Sequence, residues 1–325
     1  LWIILIFLSV LQDYERITFY YFYGSLLALL LGGIFSLFWK VHGLMAGFLL
    51  GEIFILAGLC FCVLRELPLS SYWDWKEVLF IVKNYSTLVW IGIFYNLGIW
   101  IDKIVFWWGP ESRSLGYFLR FNPLYDNTSF LAFLSVIPTI SLFMIRKETS
   151  LSQTYHNLYG NILHHRNYEM IEEAKKALLE RVELSMARLF KLQMTIAFFL
   201  VVFAPVWMPW LGLKWLQISL VRYLVLGASF HILFFLTLLF FLYFDLQKEV
   251  FGFTLSFCIF NGVLSYITTF LGPRFYGLGY LTASFIHYII AWQILFDKLK
   301  ILDYITFVVQ TLEKSLKLKK KELIG

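Results

Sequence analysis

Long apolar runs are the feature that most constrains what this chain can fold into. A helix needs about 20 predominantly apolar residues to cross the hydrocarbon core of a bilayer. The sequence offers a partial run at 1–11 and full runs at 18–38, 44–64, 79–101, 122–145, 187–209, 217–244, 248–271 and 275–297. We therefore predict an all-α fold, a polytopic transmembrane helical bundle.

Composition and charge agree with this fold class. Of the 325 residues, 60% are hydrophobic and 15% are charged, against about 25% charged in a typical soluble domain. The aromatic residues fall within the apolar runs, so the net charge of +6 favours membrane topology and anionic lipid contact over nucleic-acid binding. Cys60, Cys62 and Cys258 also lie in apolar runs, which predicts neither a disulfide framework nor a metal site.

The Lys and Arg residues predict an orientation. If the loop at 146–186 is cytoplasmic, 20 of the 27 Lys and Arg residues fall on that side, as cytoplasmic loops normally show. The same alternation makes the C-terminus cytoplasmic. Segments 170–186 and 301–316 are amphipathic, and the second ends in the basic run 317–321. The first is predicted to be a cytoplasmic helix that leads into the next span, and the second to rest on anionic lipid or to dock a cytoplasmic partner.

Small residues and prolines predict details of helix packing. Gly43, Gly47 and Gly51 recur every four residues, a spacing that lets helix backbones approach closely. We interpret them as a packing seam within the chain. Pro138 lies inside the run at 122–145 and predicts a kink, because proline removes a backbone donor.

Enzyme motifs are missing from the sequence, and a few ionisable residues lie at predicted membrane depth. There is no phosphate-binding G-x-x-x-x-G-K-[ST], H-E-x-x-H, G-x-S-x-G or D-x-D motif, so we predict no catalysis, no cofactor and no metal. A charge at membrane depth is costly unless paired or hydrated. Glu52, Asp102 and His231 are therefore candidates for ion or proton coupling, with structural hydrogen bonding as the alternative for Glu52 and His231.

The densest polar cluster is the segment 95–103, Tyr-Asn-Leu-Gly-Ile-Trp-Ile-Asp-Lys. Residues seven apart lie on the same face of a helix, which pairs Tyr95 with Asp102 and Asn96 with Lys103. Asp126 could approach Lys103 if the loop between the spans folds back. Such a face could line a polar cavity suited to a glycan, or form an interfacial aromatic belt with one ion pair.

This cluster also carries a family resemblance. The stretch 92–107, GIFYNLGIWIDKIVFW, resembles the signature of PelG, the membrane exporter of Pel polysaccharide systems. Five further segments resemble the same family, and the resemblance extends over nearly the whole chain. They are 123–126 (PLYD), 130–138 (FLAFLSVIP), 148–149 (ET), 242–245 (LYFD) and 276–279 (YGLG).

The PelG family is similar to the multidrug/oligosaccharidyl-lipid/polysaccharide (MOP/MATE-like) flippase superfamily. That similarity implies two six-helix lobes around a central cavity. Residues 1–64 would then be the remainder of the N-terminal lobe, 65–78 a cytoplasmic linker, 79–297 a complete C-terminal lobe and 298–325 a cytoplasmic basic tail. About three helices of the first lobe are expected to precede Leu1.

The resemblance further implies export of an N-acetylgalactosamine-rich polymer from the cytoplasm to the periplasm across a bacterial inner membrane. A cytoplasmic glycosyltransferase and other inner-membrane Pel synthase components would be partners. Alternatives are a lipid-linked oligosaccharide flippase, a drug/ion antiporter and a non-transporting scaffold of a synthase complex. The substrate path would comprise Tyr95, Asn96, Trp100, Asp102, Lys103, Tyr125 and Asp126.

Overall fold

The computed structural model describes residues 4, 8, 13–66, 75–116, 119–146, 152–164 and 166–302. The chain forms two compact units, 1–80 (unit 1) and 81–325 (unit 2). The described residues include seven helices that are long and apolar enough to cross a membrane. The prediction of an all-α, multi-pass membrane protein is therefore confirmed, while the assignment of the units to transporter lobes stays a prediction.

Unit 1 is built on helix α1 (Tyr14–Glu66), which bends back on itself. Lys40 interrupts the helix with φ 48° and ψ −124°, so the predicted spans 18–38 and 44–64 become two arms packed against each other. A Cβ added at Gly47 would overlap the backbone of Gly32, and one added at Gly51 would lie 2.7 Å from the carbonyl oxygen of Gly24. The glycine periodicity is thus an internal packing seam, as predicted.

The predicted span 79–101 is wrong at both ends. A short helix α2 (Trp75–Asn84) stops before a turn at Tyr85, and the spanning helix α3 runs over Ser86–Trp107. Asp102 and Lys103 therefore lie inside a spanning helix, one turn from its end. The predicted span ended at 101 because Asp102 and Lys103 are charged, but Trp107 and Trp108 continue the apolar character beyond them.

After α3 comes a feature that the sequence did not predict, a two-stranded antiparallel hairpin of β1 (Arg113–Gly116) and β2 (Leu119–Phe121). The predicted span 122–145 is then two helices, α4 (Pro123–Leu134) and α5 (Ile137–Arg146). The break lies next to Pro138, where a kink was predicted, since a proline near a helix start needs no backbone donor.

The second half of unit 2 consists mainly of long helices. Segment 170–186 is continuous with the following span in one 35-residue helix, and that helix ends before the predicted 209, because Pro205 and Pro209 follow. The elements are α6 (Ser152–Leu163), α7 (Tyr168–Val202), α8 (Ala204–Trp207), a 3-10 turn (Pro209–Leu211), α9 (Leu216–Tyr243), α10 (Gln247–Leu271), a 3-10 turn (Pro273–Phe275) and α11 (Leu278–Lys300).

Helix α9 is the core of unit 2. Most of its side chains are buried, and it packs against α11, α4 and α7, while α3 packs along α10. A buried polar chain joins α5, α7 and α9. Thr139 of α5 donates to Gln193 Oε1 of α7 at 2.6 Å, and Gln193 Nε2 donates to Ser229 of α9 at 2.8 Å.

Several predicted segments lie outside the described residues. They are most of the partial run 1–11, residues 67–74 of the predicted linker, Glu148 and Thr149, and the tail beyond Leu302 with its amphipathic segment and basic run.

Candidate functional site

The candidate site begins with a buried ion pair on α3. Asp102 is 1% exposed and Lys103 is 8% exposed. Lys103 Nζ lies 3.4 Å from Asp102 Oδ1 and donates to the Ile99 carbonyl oxygen at 3.0 Å. The Tyr125 hydroxyl of α4 donates to Asp102 Oδ2 at 2.5 Å. Asp102 thus joins α3 to α4 and neutralises Lys103.

The start of α4 is fixed by its N-cap. Asn122 is fully buried, and its Oδ1 accepts hydrogen bonds from the backbone N–H groups of Leu124 and Tyr125, each at 3.1 Å. Its Nδ2 donates to the Phe106 carbonyl oxygen at 3.3 Å. One asparagine therefore caps the helix, as this residue type favours, and fixes its position against α3.

Asp126 is held by the Trp107 side chain of α3 and by the backbone of Asn122. The Trp107 indole Nε1 donates to both carboxylate oxygens of Asp126, at 3.1 Å and 3.0 Å, and the backbone N–H of Asn122 donates to Oδ2 at 2.9 Å. The two aspartates have different partners, because Asp102 binds Lys103 and Tyr125 whereas Asp126 binds Trp107 and Asn122.

A pocket of about 460 Å³ opens between α3 and α4 at this position. Its walls are mostly aromatic, and its polar groups are one lysine, one aspartate and one serine. Lys103 Nζ lies 4.9 Å from the ring centroid of Phe133 and 5.8 Å from that of Trp100. The lining residues are Ile99, Trp100, Lys103, Trp107, Asp126, Ser129, Phe130 and Phe133.

Five of the seven predicted path residues lie at or directly behind this pocket. Trp100, Lys103 and Asp126 line this pocket. Asp102 and Tyr125 lie behind it as buried partners, and Tyr125 is 0% exposed.

The remaining two predicted path residues make other contacts. Asn96 donates to the Gly92 carbonyl oxygen of its own helix at 2.8 Å. The Tyr95 hydroxyl lies 3.1 Å from His231 Nε2 of α9, and the two rings stack with centroids 5.7 Å apart. Tyr95 therefore contacts the core of unit 2 through His231 and does not line the pocket.

The three candidates for ion or proton coupling are divided between the two units. Glu52 is half-buried in α1 of unit 1, while Asp102 and His231 are buried in unit 2. His231 Nδ1 and the hydroxyls of Tyr280 and Ser284 are buried without a hydrogen-bond partner among the described residues. His231 and Tyr280 have ring centroids 5.7 Å apart. Within the described ranges, no three His, Cys, Asp or Glu side chains are grouped as a metal site requires.

Comparison with known families identifies the chain. The family model of PelG, described as "Putative exopolysaccharide Exporter (EPS-E)", matches residues 1–307. This chain belongs to the PelG family. No curated protein and no solved structure matches it. The family is one of exporters, so this chain is a multi-pass membrane protein of polysaccharide export.

Sequence reasoning missed part of the pocket between α3 and α4. Trp107, Ser129, Phe130 and Phe133 line it, although none was predicted as a site residue. A signal for them exists, because Trp100, Lys103 and Trp107 follow the three- and four-residue spacing of one helix face. The same holds for Asp126, Phe130 and Phe133. The predicted boundary at 101 concealed this continuity.

Proposed function

We propose that this protein conducts the Pel polysaccharide, an N-acetylgalactosamine-rich polymer, from the cytoplasm to the periplasm across a bacterial inner membrane. In this proposal the polymer passes through a cavity between two helical lobes, and the α3/α4 pocket forms part of the wall that contacts it. The C-terminus is cytoplasmic. A cytoplasmic glycosyltransferase and other inner-membrane Pel components supply the growing chain.

The composition of the α3/α4 pocket is the observation that carries the proposal. Sugar rings present flat C–H faces that pack on aromatic rings, and their hydroxyls both donate and accept hydrogen bonds. Trp100, Trp107 and Phe133 supply ring surfaces, while Lys103 and Asp126 supply one donor and one acceptor group. Ligand sites commonly combine an apolar and aromatic lining with a few placed polar groups.

Both charged groups of the pocket keep capacity for a substrate. Lys103 has three N–H donors, of which the hydrogen bonds to Asp102 and Ile99 use two. Asp126 has two oxygens with about four acceptor positions, and Trp107 and Asn122 donate to them from the protein side. Each group is fixed in position and can still bind a hydroxyl or an N-acetyl group.

The test uses inverted membrane vesicles that contain the full-length protein, the cognate transferase and its membrane partners. Radiolabelled UDP-N-acetylgalactosamine is supplied outside, and the polymer that becomes protected from added glycosidase is measured. We expect Trp100→Ala to lower the rate of protection severalfold because it removes a ring from the pocket.

Trp90→Ala is the matched control, because Trp90 lies on the same helix, is similarly exposed (50% against 51%) and does not line the pocket. If the two variants protect polymer equally, the path assignment fails. If polymer is made but stays unprotected with the wild-type protein, the scaffold alternative replaces export.

Energy coupling is a separate part of the proposal. Glu52, Asp102 and His231 are the residues through which an ion or proton gradient would act. We expect at least one of Glu52→Gln, Asp102→Asn and His231→Gln to abolish the sensitivity of protection to a protonophore. Sensitivity that persists in all three variants would contradict this assignment.

The docking surfaces are also proposed, on the charge pattern of segment 150–186 and the basic tail. Deleting 312–325 should weaken co-purification of the transferase and reduce binding to vesicles rich in anionic lipid. Unchanged co-purification after the deletion would remove the tail from the proposed interface.

A further inference from the structure

A second pocket of unit 2 has a chemistry unlike that of the α3/α4 pocket. It also measures about 460 Å³, far more than one ordered water needs. It lies where the turn before β1, the start of α4 and the loop before α9 meet. Its charged side chains are Glu111, Arg113 and Lys214. None of the three makes an ion pair or side-chain hydrogen bond with another described residue.

The floor of this pocket is held in place by a buried amide. Gln217 is 5% exposed, its Oε1 accepts from the backbone N–H of Lys214 at 2.8 Å, and its Nε2 lies 3.5 Å from the Leu124 carbonyl oxygen of α4. Gly212, with φ 70°, makes the turn that precedes Lys214. The loop that carries Lys214 is therefore fixed to α4.

The remaining lining is mainly aliphatic, from Leu211, Leu213 and Leu216 among others, with the amide of Asn127 beside them. The same loop carries Trp210 and Trp215, which are 83% and 75% exposed. Exposed tryptophans at the ends of spanning helices are typical of the membrane–water interface. The pocket thus combines two cations, one carboxylate and an aliphatic wall at the depth where phospholipid headgroups lie.

We propose that this pocket binds the headgroup of a zwitterionic phospholipid that carries a primary ammonium group, such as phosphatidylethanolamine. Arg113 and Lys214 bind the phosphate by charge-assisted hydrogen bonds, Glu111 binds the ammonium group, and the leucines contact the start of an acyl chain. The proposal does not depend on the export substrate.

The test is native mass spectrometry of the delipidated full-length protein in detergent, with an equimolar mixture of phosphatidylethanolamine, phosphatidylcholine and phosphatidylglycerol. We expect phosphatidylethanolamine to be retained preferentially. Replacing both cations (Arg113→Gln with Lys214→Gln) should lower its retention by about tenfold, as the loss of charge-assisted hydrogen bonds implies. Glu111→Gln should leave phosphatidylcholine binding unchanged and remove the preference over it.

Two further variants separate a headgroup site from a folding defect. Arg120→Gln removes a cation from the same hairpin, but Arg120 stacks on Trp108 at 4.5 Å and lies outside the pocket. It should retain lipid like the wild type, and so should Lys214→Arg. The proposal is overturned if the double variant loses no more lipid than Arg120→Gln. It is also overturned if phosphatidylglycerol is preferred, or if soluble glycerophosphoethanolamine competes as well as the intact lipid.

Discussion

In unit 1 the two arms of α1 meet along their backbones, whereas in unit 2 large side chains and buried polar contacts join most of the helices, with a close backbone approach at Gly279. The seam of unit 1 pairs Gly47 with Gly32 and Gly51 with Gly24. In unit 2, Asp102 binds Tyr125 across α3 and α4, and Gln193 joins α5, α7 and α9.

The difference shows two solutions to one physical problem. Lipid tails are as apolar as leucine, so the hydrophobic effect does not bring spanning helices together. Dispersion attraction between closely packed backbones stabilises unit 1. Hydrogen bonds between buried side chains, for which no water competes, stabilise unit 2. The first solution needs small residues at a fixed spacing, while the second needs partners that are distant in sequence.

The largest expected effect is on the seam of unit 1. Gly47→Leu should prevent the arms from packing and cost about 3 kcal/mol or more of stability, because the new side chain would overlap the backbone of Gly32. Gly33→Leu is the matched control, since nothing lies within 4 Å of a Cβ at Gly33. Thermal unfolding in detergent measures both variants, and equal melting temperatures would refute the seam.

The next effect concerns the ion pair of unit 2. Lys103→Met leaves the buried Asp102 carboxylate without its cation and should cost about 3 kcal/mol. Adding Asp102→Asn should recover part of that loss, because an amide can still accept the Tyr125 hydroxyl hydrogen bond and needs no countercharge. Lys83→Met, at an exposed position of α2, is the control. A double variant no more stable than Lys103→Met would show that the pair is not coupled.

The buried amide chain should contribute less. Gln193→Leu removes the partner of both Thr139 and Ser229 and should destabilise unit 2 by about 1 kcal/mol, near the typical value of hydrogen bonds between helices in membranes. Gln293→Leu makes the same change at an exposed position of α11 and should be neutral. Equal stabilities of the two variants would show that the Gln193 hydrogen bonds do not stabilise unit 2.

These two kinds of contact also explain what the sequence could predict. The glycine spacing and the apolar runs are local patterns. The packing of the two arms of α1 and the existence of the six later spans could therefore be predicted from them. The partners of Gln193 are 54 and 36 residues away along the chain, and no local pattern indicates such contacts. The β-hairpin was missed because its strands are only four and three residues long.

The site was predicted in composition but not in geometry. Residues 95–103 were recognised as a polar face, yet Trp107 binds Asp126 from beyond the predicted end of the span. Seven-residue spacing placed Tyr95 and Asp102 on one helix face. It could not show that Tyr95 contacts His231 of α9 while Asp102 contacts Tyr125 of α4.

The smallest effect sharpens the comparison at the helix ends, where both units carry an ion pair between neighbouring helical segments. Lys298 Nζ lies 2.7 Å from Glu249 Oε1 in unit 2, and Arg16 lies 2.9 Å from Glu66 in unit 1. The unit 2 carboxylate is 23% exposed against 43% for Glu66, so water screens it less. We expect Glu249→Gln to cost about 0.5 kcal/mol, as partly exposed pairs do, and Glu66→Gln to cost less.

Measuring the stability of both variants at low and high salt tests the cause, because a screened Coulomb attraction must weaken as salt rises. A loss on Glu249→Gln that does not change with salt would assign the contact to packing and not to charge.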